Sequence, residues 1–169
     1  MTRRKLFSAL ITLVLTGLAP SVNAADGATV PSAPKSSAAL AEPAGVVDAF
    51  FKALAAGDLA KAESLLDPDV RIFESGGVER SAKEYASHHM QGDAAFLKTA
   101  TQAVSARTGA AVGDLAWVAS EQRITGTSGD KPVDILSTET MVLHKTAAGW
   151  RIVHIHWSSR SAAKIVSAR

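Results

Sequence analysis

The chain has 169 residues, 18 basic against 16 acidic, no cysteine, and 47% hydrophobic residues. That length suits one domain. The missing cysteines exclude a disulfide framework and thiol chemistry, and the absence of a basic patch argues against nucleic-acid binding.

The charge is unevenly placed. Arg3, Arg4 and Lys5 precede the apolar run Leu6–Ala19, and Val22-Asn23-Ala24 fits a small-x-small cleavage site. This is the three-part pattern of a secretory signal peptide over residues 1–24, and the run is short for a membrane span. The expected product is periplasmic or secreted, with no membrane attachment after cleavage. Removing three of the 18 basic residues and none of the 16 acidic ones turns a net charge of +2 into about −1, so the pI near 9.0 is largely a property of the leader.

Residues 25–42 are rich in Ala, Ser and Pro and lack apolar periodicity, which predicts a disordered linker. A first helix is expected from Pro43 to Ala56, opened by the proline, with Val46, Val47, Phe50, Phe51 and Leu54 on one broad face. Gly57 ends it and Asp58 caps a second helix that runs to about Leu66. Val70–Glu74 alternates as a strand before the turn Gly76-Gly77. Ser81-Ala82-Lys83-Glu84 is a capping box that opens a third helix. Tyr85 and His89 lie one turn apart on it, and Gly92-Asp93 is expected to interrupt it.

After Thr101 the texture becomes that of strands: Gln102–Thr108, Leu115–Thr125, Val133–Lys145 and Trp150–Ser159. Short turns between them predict an antiparallel meander. Helices followed by such a sheet make an α+β architecture, with three N-terminal helices packed on one face of a curved antiparallel sheet.

The last strand, Gly149-Trp150-Arg151-Ile152-Val153-His154-Ile155-His156-Trp157, organises the expectations about function. In a strand, parity is face. Trp150, Ile152, His154 and His156 share one face, read as a pocket wall. Val153, Ile155 and Trp157 share the other, read as a homodimer surface. Glu139 joins the histidine face if the turn after it has two residues and the opposite face if it has three. Trp117 belongs to either the pocket or the interface.

Val46-Val47-x-x-Phe50-Phe51-x-x-Leu54-x-x-Gly57-Asp58 resembles the opening helix of nuclear transport factor 2-like and ketosteroid isomerase-like domains. Glu139-Thr140-Met141-Val142-Leu143 and the Gly149–Ser158 stretch resemble the ending of SnoaL-like domains, and also the association domain of calcium/calmodulin-dependent kinase II. The resemblance spans residues 43–160 and leaves 161–169 as a tail. It implies a cystatin-like cone fold that encloses a pocket, pairing through the sheet, and no cofactor. Carried over from ketosteroid isomerases, the oxyanion-hole tyrosine falls on Phe50, the second acid on Met141 and the carboxylate base on Glu74. Two of the three groups are then missing, so that family's oxyanion chemistry is not expected.

The candidate ligand-binding residues are therefore Phe50, Glu74, Tyr85, His89, Glu139, Met141, His154 and His156, with His156 and Glu74 as candidate acid–base groups. His154 and His156 lie roughly 7 Å apart along the strand. They read as hydrogen-bonded pocket residues, as acid–base groups or, with a third ligand, as a metal pair. No metal is assigned. The functional expectation is a small, mostly apolar ligand held in an internal pocket of a homodimer. The alternatives are an acid–base enzyme (isomerase, cyclase or dehydratase) and a structural dimerisation module.

Overall fold

The computed structural model describes residues 37–129 and 131–162. The expected signal peptide and most of the expected linker and tail lie outside these residues. The described chain runs α1 (Ser37–Ala56), α2 (Leu59–Ser64), β1 (Leu66–Glu74), β2 (Gly77–Glu79), α3 (Ala82–Ser87), α4 (Met90–Leu97), β3 (Thr101–Val112), β4 (Leu115–Ser128), β5 (Lys131–Thr146) and β6 (Gly149–Ser161). The sheet order is β2-β1-β6-β5-β4-β3. The expected meander β3–β6 is present, but the sheet is mixed: β1 pairs parallel to β6. The architecture is α+β, with the helices against one face of the sheet.

α1 starts inside the expected linker, and Pro43 lies within the helix rather than at its start. An internal proline removes a donor and strains the preceding turn. That turn is built from strong helix formers, Ala38, Ala39, Leu40 and Ala41, and tertiary contacts anchor it. Leu40 packs against the core. The Glu42 carboxylate accepts from Trp150 Nε1 at 3.2 Å and from Lys145 Nζ at 3.4 Å. Beneath Leu40, β3 passes at Gly109, where an added Cβ would stand 2.3 Å from the Trp117 carbonyl oxygen and 2.9 Å from Leu40 Cδ1. Gly109→Ala must move backbone, so a loss of about 1–3 kcal/mol is expected in urea unfolding. An unchanged midpoint would show that the two strands yield freely there.

Val47, Phe50, Ala53 and Leu54 of α1 are buried together with Ala62 of α2, Tyr85 of α3 and Met90, Ala94 and Leu97 of α4. They meet the inward residues of the sheet: Val70, Ile72, Ala116, Val118, Met141, Leu143, Ile152 and Ile155. Asp58 caps α2 through Lys61 N at 3.0 Å, and Ser81 caps α3 through Glu84 N at 3.0 Å. The Glu84 carboxylate accepts from Arg80 N, one residue before the amide of the usual capping box. The helix break falls at His88-His89, ahead of the expected Gly92-Asp93, and both of those residues are inside α4.

The β5–β6 hairpin pairs Thr146 with Gly149, a two-residue turn in which Gly149 takes φ +103°. A β-bulge then interrupts β6. Leu143 faces Ile152 and Val142 faces His154, which leaves Val153 as the extra residue. A second bulge leaves Ser105 as the extra residue in β3, between the pairs Val104–Gln122 and Ala106–Glu121. Each bulge reverses which parity points inward and adds local twist. The consequences for the site are large.

Candidate functional site

Past the β6 bulge, the inward residues are Ile155, Trp157 and Ser159. Ile155 is fully buried against Ile72 and Met141. Trp157 faces the helices, with ring centroids 6.5 Å from Phe51 and 6.2 Å from Tyr85. This corrects the parity reading in both directions. Ile155 and Trp157 cannot serve as an outer interface, and Val153 is the bulge residue between the two faces. His154 and His156 point away from the cavity. His154 stacks edge-on against Phe73 at 5.0 Å and its Nδ1 lies 2.9 Å from the Arg71 carbonyl oxygen. His156 is exposed and is displaced from its expected pocket and acid–base position. The pairing of the histidines with Glu74, Glu139 or His89 at one metal is likewise removed, since Glu74 and Glu139 face inward and His89 is held against Glu79 at the start of α4. Among the described residues, no group of three or more His, Cys, Asp or Glu converges as a metal site.

The inward side holds a half-open cavity of about 100 Å³. Its apolar walls come from Phe51 and Leu54 of α1, Phe96 and Leu97 of α4, Ile124 of β4, Ile135 of β5 and Trp157 of β6. Its polar groups are Glu74, Asp93, Gln102, Gln122, Ser137 and Ser159. Of the expected ligand-binding residues, only Glu74 lines this space. It is inward because its strand partner is Trp157. Phe50 and Met141 are inward but sealed in the core, both fully buried. Phe50 supports the wall through an edge contact with Phe51, 5.8 Å between centroids. Tyr85 and Glu139 stand one layer behind the lining, and each holds a lining side chain.

The Tyr85 hydroxyl donates to Asp93 Oδ2 at 2.7 Å. Trp157 Nε1 donates to Glu139 Oε2 at 3.3 Å. Glu139 is 3% exposed, and a chain of contacts links it to the surface. Ser120 bonds Glu139, Arg107 Nε donates to Ser120 Oγ at 3.1 Å, and Arg107 also pairs with Asp48 at 2.8 Å. The two-residue turn therefore does place Glu139 inward. The bulge carries the histidines to the other face, so the two no longer share a side.

Burial pushes all three inner carboxyls up from their ordinary values. For Glu74 desolvation leads and the neighbouring Asp93 charge adds to it. For Asp93 desolvation outweighs the opposing hydrogen bond from Tyr85. For Glu139 desolvation outweighs the bonds from Ser120 and Trp157 and the charge of Arg107. Glu139 is buried and Asp93 partly buried, whereas Glu74 at the end of β1 keeps contact with solvent, which screens its charge. Burial also raises the Tyr85 phenol, so it stays protonated as a donor. His89 sits at the start of α4, largely exposed, with Nδ1 against the buried Glu79 carboxylate. That hydrogen bond raises its pKa. His89 screens the carboxyl cluster from outside and does not line the cavity.

Sequence reading missed Phe51, Asp93, Phe96, Gln102, Gln122 and Trp157 as lining residues. Phe51 reads as one of the apolar face of the first helix with no site role, and Trp157 as part of the outer surface. Asp93 reads as part of a helix break, and its bond to Tyr85 crosses from α3 to α4. Gln102 and Gln122 carry no motif.

An α+β cone whose helices close one cavity against a curved sheet defines the nuclear transport factor 2-like class. Within it, the chain belongs to the SnoaL-like domain family, whose profile matches residues 44–162. Among solved structures, it is 40% identical to a protein from Shewanella frigidimarina provisionally named a ketosteroid isomerase. The match covers 68% of this chain and 92% of that one, with TM-score 0.64. It is 25% identical to the CaMKII hub of S. rosetta, covering 71% and 95% of the two chains, TM-score 0.62. A protein from Streptomyces avermitilis, provisionally named a dehydratase, shares the fold at 21% identity, covering 75% and 99%, TM-score 0.65. No curated protein matches the chain.

Proposed function

We propose that this SnoaL-like domain binds a small, mostly apolar molecule in the cavity between α1, α4 and the inner sheet face. The observation that carries this reading is the cavity itself, three aromatic rings and four aliphatic side chains around polar groups set at chosen points. Concave apolar sites with a few convergent polar groups are the usual form of a ligand pocket. The space is smaller than the apolar cavity of about 150 Å³ that holds benzene but opens to one side, which suits a five-membered ring or a short branched chain. The test is a titration of the isotope-labelled protein with cyclopentane and cyclopentanol, followed by NMR. Shifts should centre on Phe51, Phe96 and Trp157. Shifts elsewhere, or none at millimolar probe, would overturn the reading.

Acid–base catalysis is the second reading, favoured by one observation: Glu74 and Asp93 share the cavity with their pKa values raised. A carboxylate in that state is a stronger base, and a neighbouring carboxylic acid is a donor. Under this reading Glu74 replaces His156 as the working group. Glu74→Gln would abolish exchange of the α-hydrogens of cyclopentanone in D2O, while Asp69→Asn, on the exposed side of β1, would not.

The protein is further proposed to be exported by residues 1–24 and to pair through the outer sheet face. Export is supported by the leader pattern alone, and N-terminal sequencing of the host-derived protein should begin at Ala25. Pairing is supported by exposed aromatic side chains on that face, Phe73 and Trp117, 41% and 42% exposed, linked across the strands by His154 and Val142. Contiguous apolar patches mark contact surfaces. Trp117→Asp is expected to turn a dimer into a monomer in sedimentation equilibrium. A stable dimer in that variant, or a monomeric wild type, would remove the interface from this face.

A further inference from the structure

Gln102 is the one buried side-chain donor among the described residues whose nitrogen has no hydrogen-bond partner: its Nε2 is shut from solvent and unmatched. It lies on β3 opposite Ile124 and lines the cavity. It points inward only because the bulge at Ser105 switches the parity of β3 below Ala106. A buried amide N–H left without an acceptor costs about 1–3 kcal/mol. Native interiors rarely keep such a group without a use. The last side-chain torsion of glutamine is broad and soft, so the amide can turn onto an atom that enters the cavity.

The rest of the lining restricts what that atom belongs to. An acceptor is needed to meet an N–H. Glu74 and Asp93 line the same space, and the Asp93 charge disfavours that of Glu74. A third negative group would meet both, so an anionic acceptor is rejected. An ammonium group would suit the carboxylates but carries only donors and would leave Gln102 unmatched. We infer that Gln102 is the specificity-determining residue of the cavity and that the ligand is a neutral molecule whose apolar body carries a carbonyl-type acceptor oxygen, held by Gln102 Nε2. This rests on the cavity reading above. It places the polar anchor on β3, away from the α1 and β5 positions held by Phe50 and Met141.

The test uses the full mature chain and four ring-sized probes followed by NMR: cyclopentanone, cyclopentane, cyclopentylamine and cyclopentanecarboxylate. Cyclopentanone should bind roughly five- to tenfold more tightly than cyclopentane, the return of one neutral hydrogen bond, and the carboxylate should not bind. Gln102→Leu should erase the ketone's advantage and leave cyclopentane affinity unchanged or higher. Should that variant fail to fold, an intermolecular NOE from the Gln102 side-chain amide to the ketone in the wild type decides the matter, its presence expected and its absence fatal. If ketone and hydrocarbon bind alike, or the advantage survives Gln102→Leu, the inference falls and the cavity reading stands. Tightest binding of the amine would show that the carboxylates select the ligand, and would also overturn it. If no probe binds, both readings fall together.

Discussion

Phe50→Ala is expected to destabilise the protein by about 3–5 kcal/mol, the usual cost of removing a large, fully buried ring. Phe50 has no exposed surface, sits mid-way along α1 and packs among side chains from both layers. Its loss removes the transfer energy of the ring and leaves a void that a long helix pinned by Leu40, Glu42 and Leu54 closes poorly. A domain of this size is typically stable by only about 5–15 kcal/mol, so the change is a large share of the total. The void would also open behind Phe51, which then loses its edge partner and with it the cavity wall. The check is equilibrium unfolding in urea, paired with probe binding by NMR. A loss below about 1 kcal/mol would mean that α1 collapses inward freely and that the cavity is not rigidly built.

Stability should fall as pH rises from about 4 toward neutrality, with the inner carboxyls as the cause. Glu74, Asp93 and Glu139 have folded-state pKa values raised above 4.5, 3.8 and 4.5, their values in the unfolded chain. A raised carboxyl binds its proton more tightly in the native state. Its contribution is therefore present below the unfolded value and lost as pH climbs through the folded one. Asp93 and Glu139 each contribute a slope of at most about 1.4 kcal/mol per pH unit inside their own windows, and solvent screening weakens the share of the exposed Glu74. His89 acts in the same direction at higher pH, because its contact with Glu79 raises it above 6.5. Glu42 and Asp134 oppose the trend, being lowered by partners on the surface, where solvent screening weakens such pairs. Asp93→Asn keeps an acceptor for the Tyr85 hydroxyl and removes the buried charge, so it should flatten the slope and raise stability at pH 7. Glu139→Gln should act likewise while keeping an oxygen for Trp157. Urea midpoints across pH 4–8 measure both. A wild-type curve that rises over this range would mean that these carboxyls are better solvated or better paired than their burial indicates.

The elements that repeat a period over several turns or strands were legible from the chain: the apolar face of α1, the caps at Asp58 and Ser81, and the four long strands with their short turns. Local energetics decide these, and the side chains that decide them are neighbours in sequence. The length of the turn before Gly149 was not legible in this way: two and three residues both fitted, and the pairing of Thr146 with Gly149 brings Glu139 inward. Nor were the first turns of α1 legible. Ala38–Glu42 reads as linker, and it becomes helix because Leu40 finds the core and Glu42 finds Trp150, more than a hundred residues away along the chain.

Tertiary structure alone decided the site. A strand transmits its facing from residue to residue only while its ladder is unbroken, and one inserted residue reverses everything beyond it. Nothing in Val153 or Ser105 announces such an insertion. It is set by the register that the partner strands and the curvature around the helices impose. Those two residues send His154 and His156 out and bring Trp157 and Gln102 in. The composition of the last strand was thus readable from the sequence, whereas the side on which its chemistry lies followed from how the sheet bends.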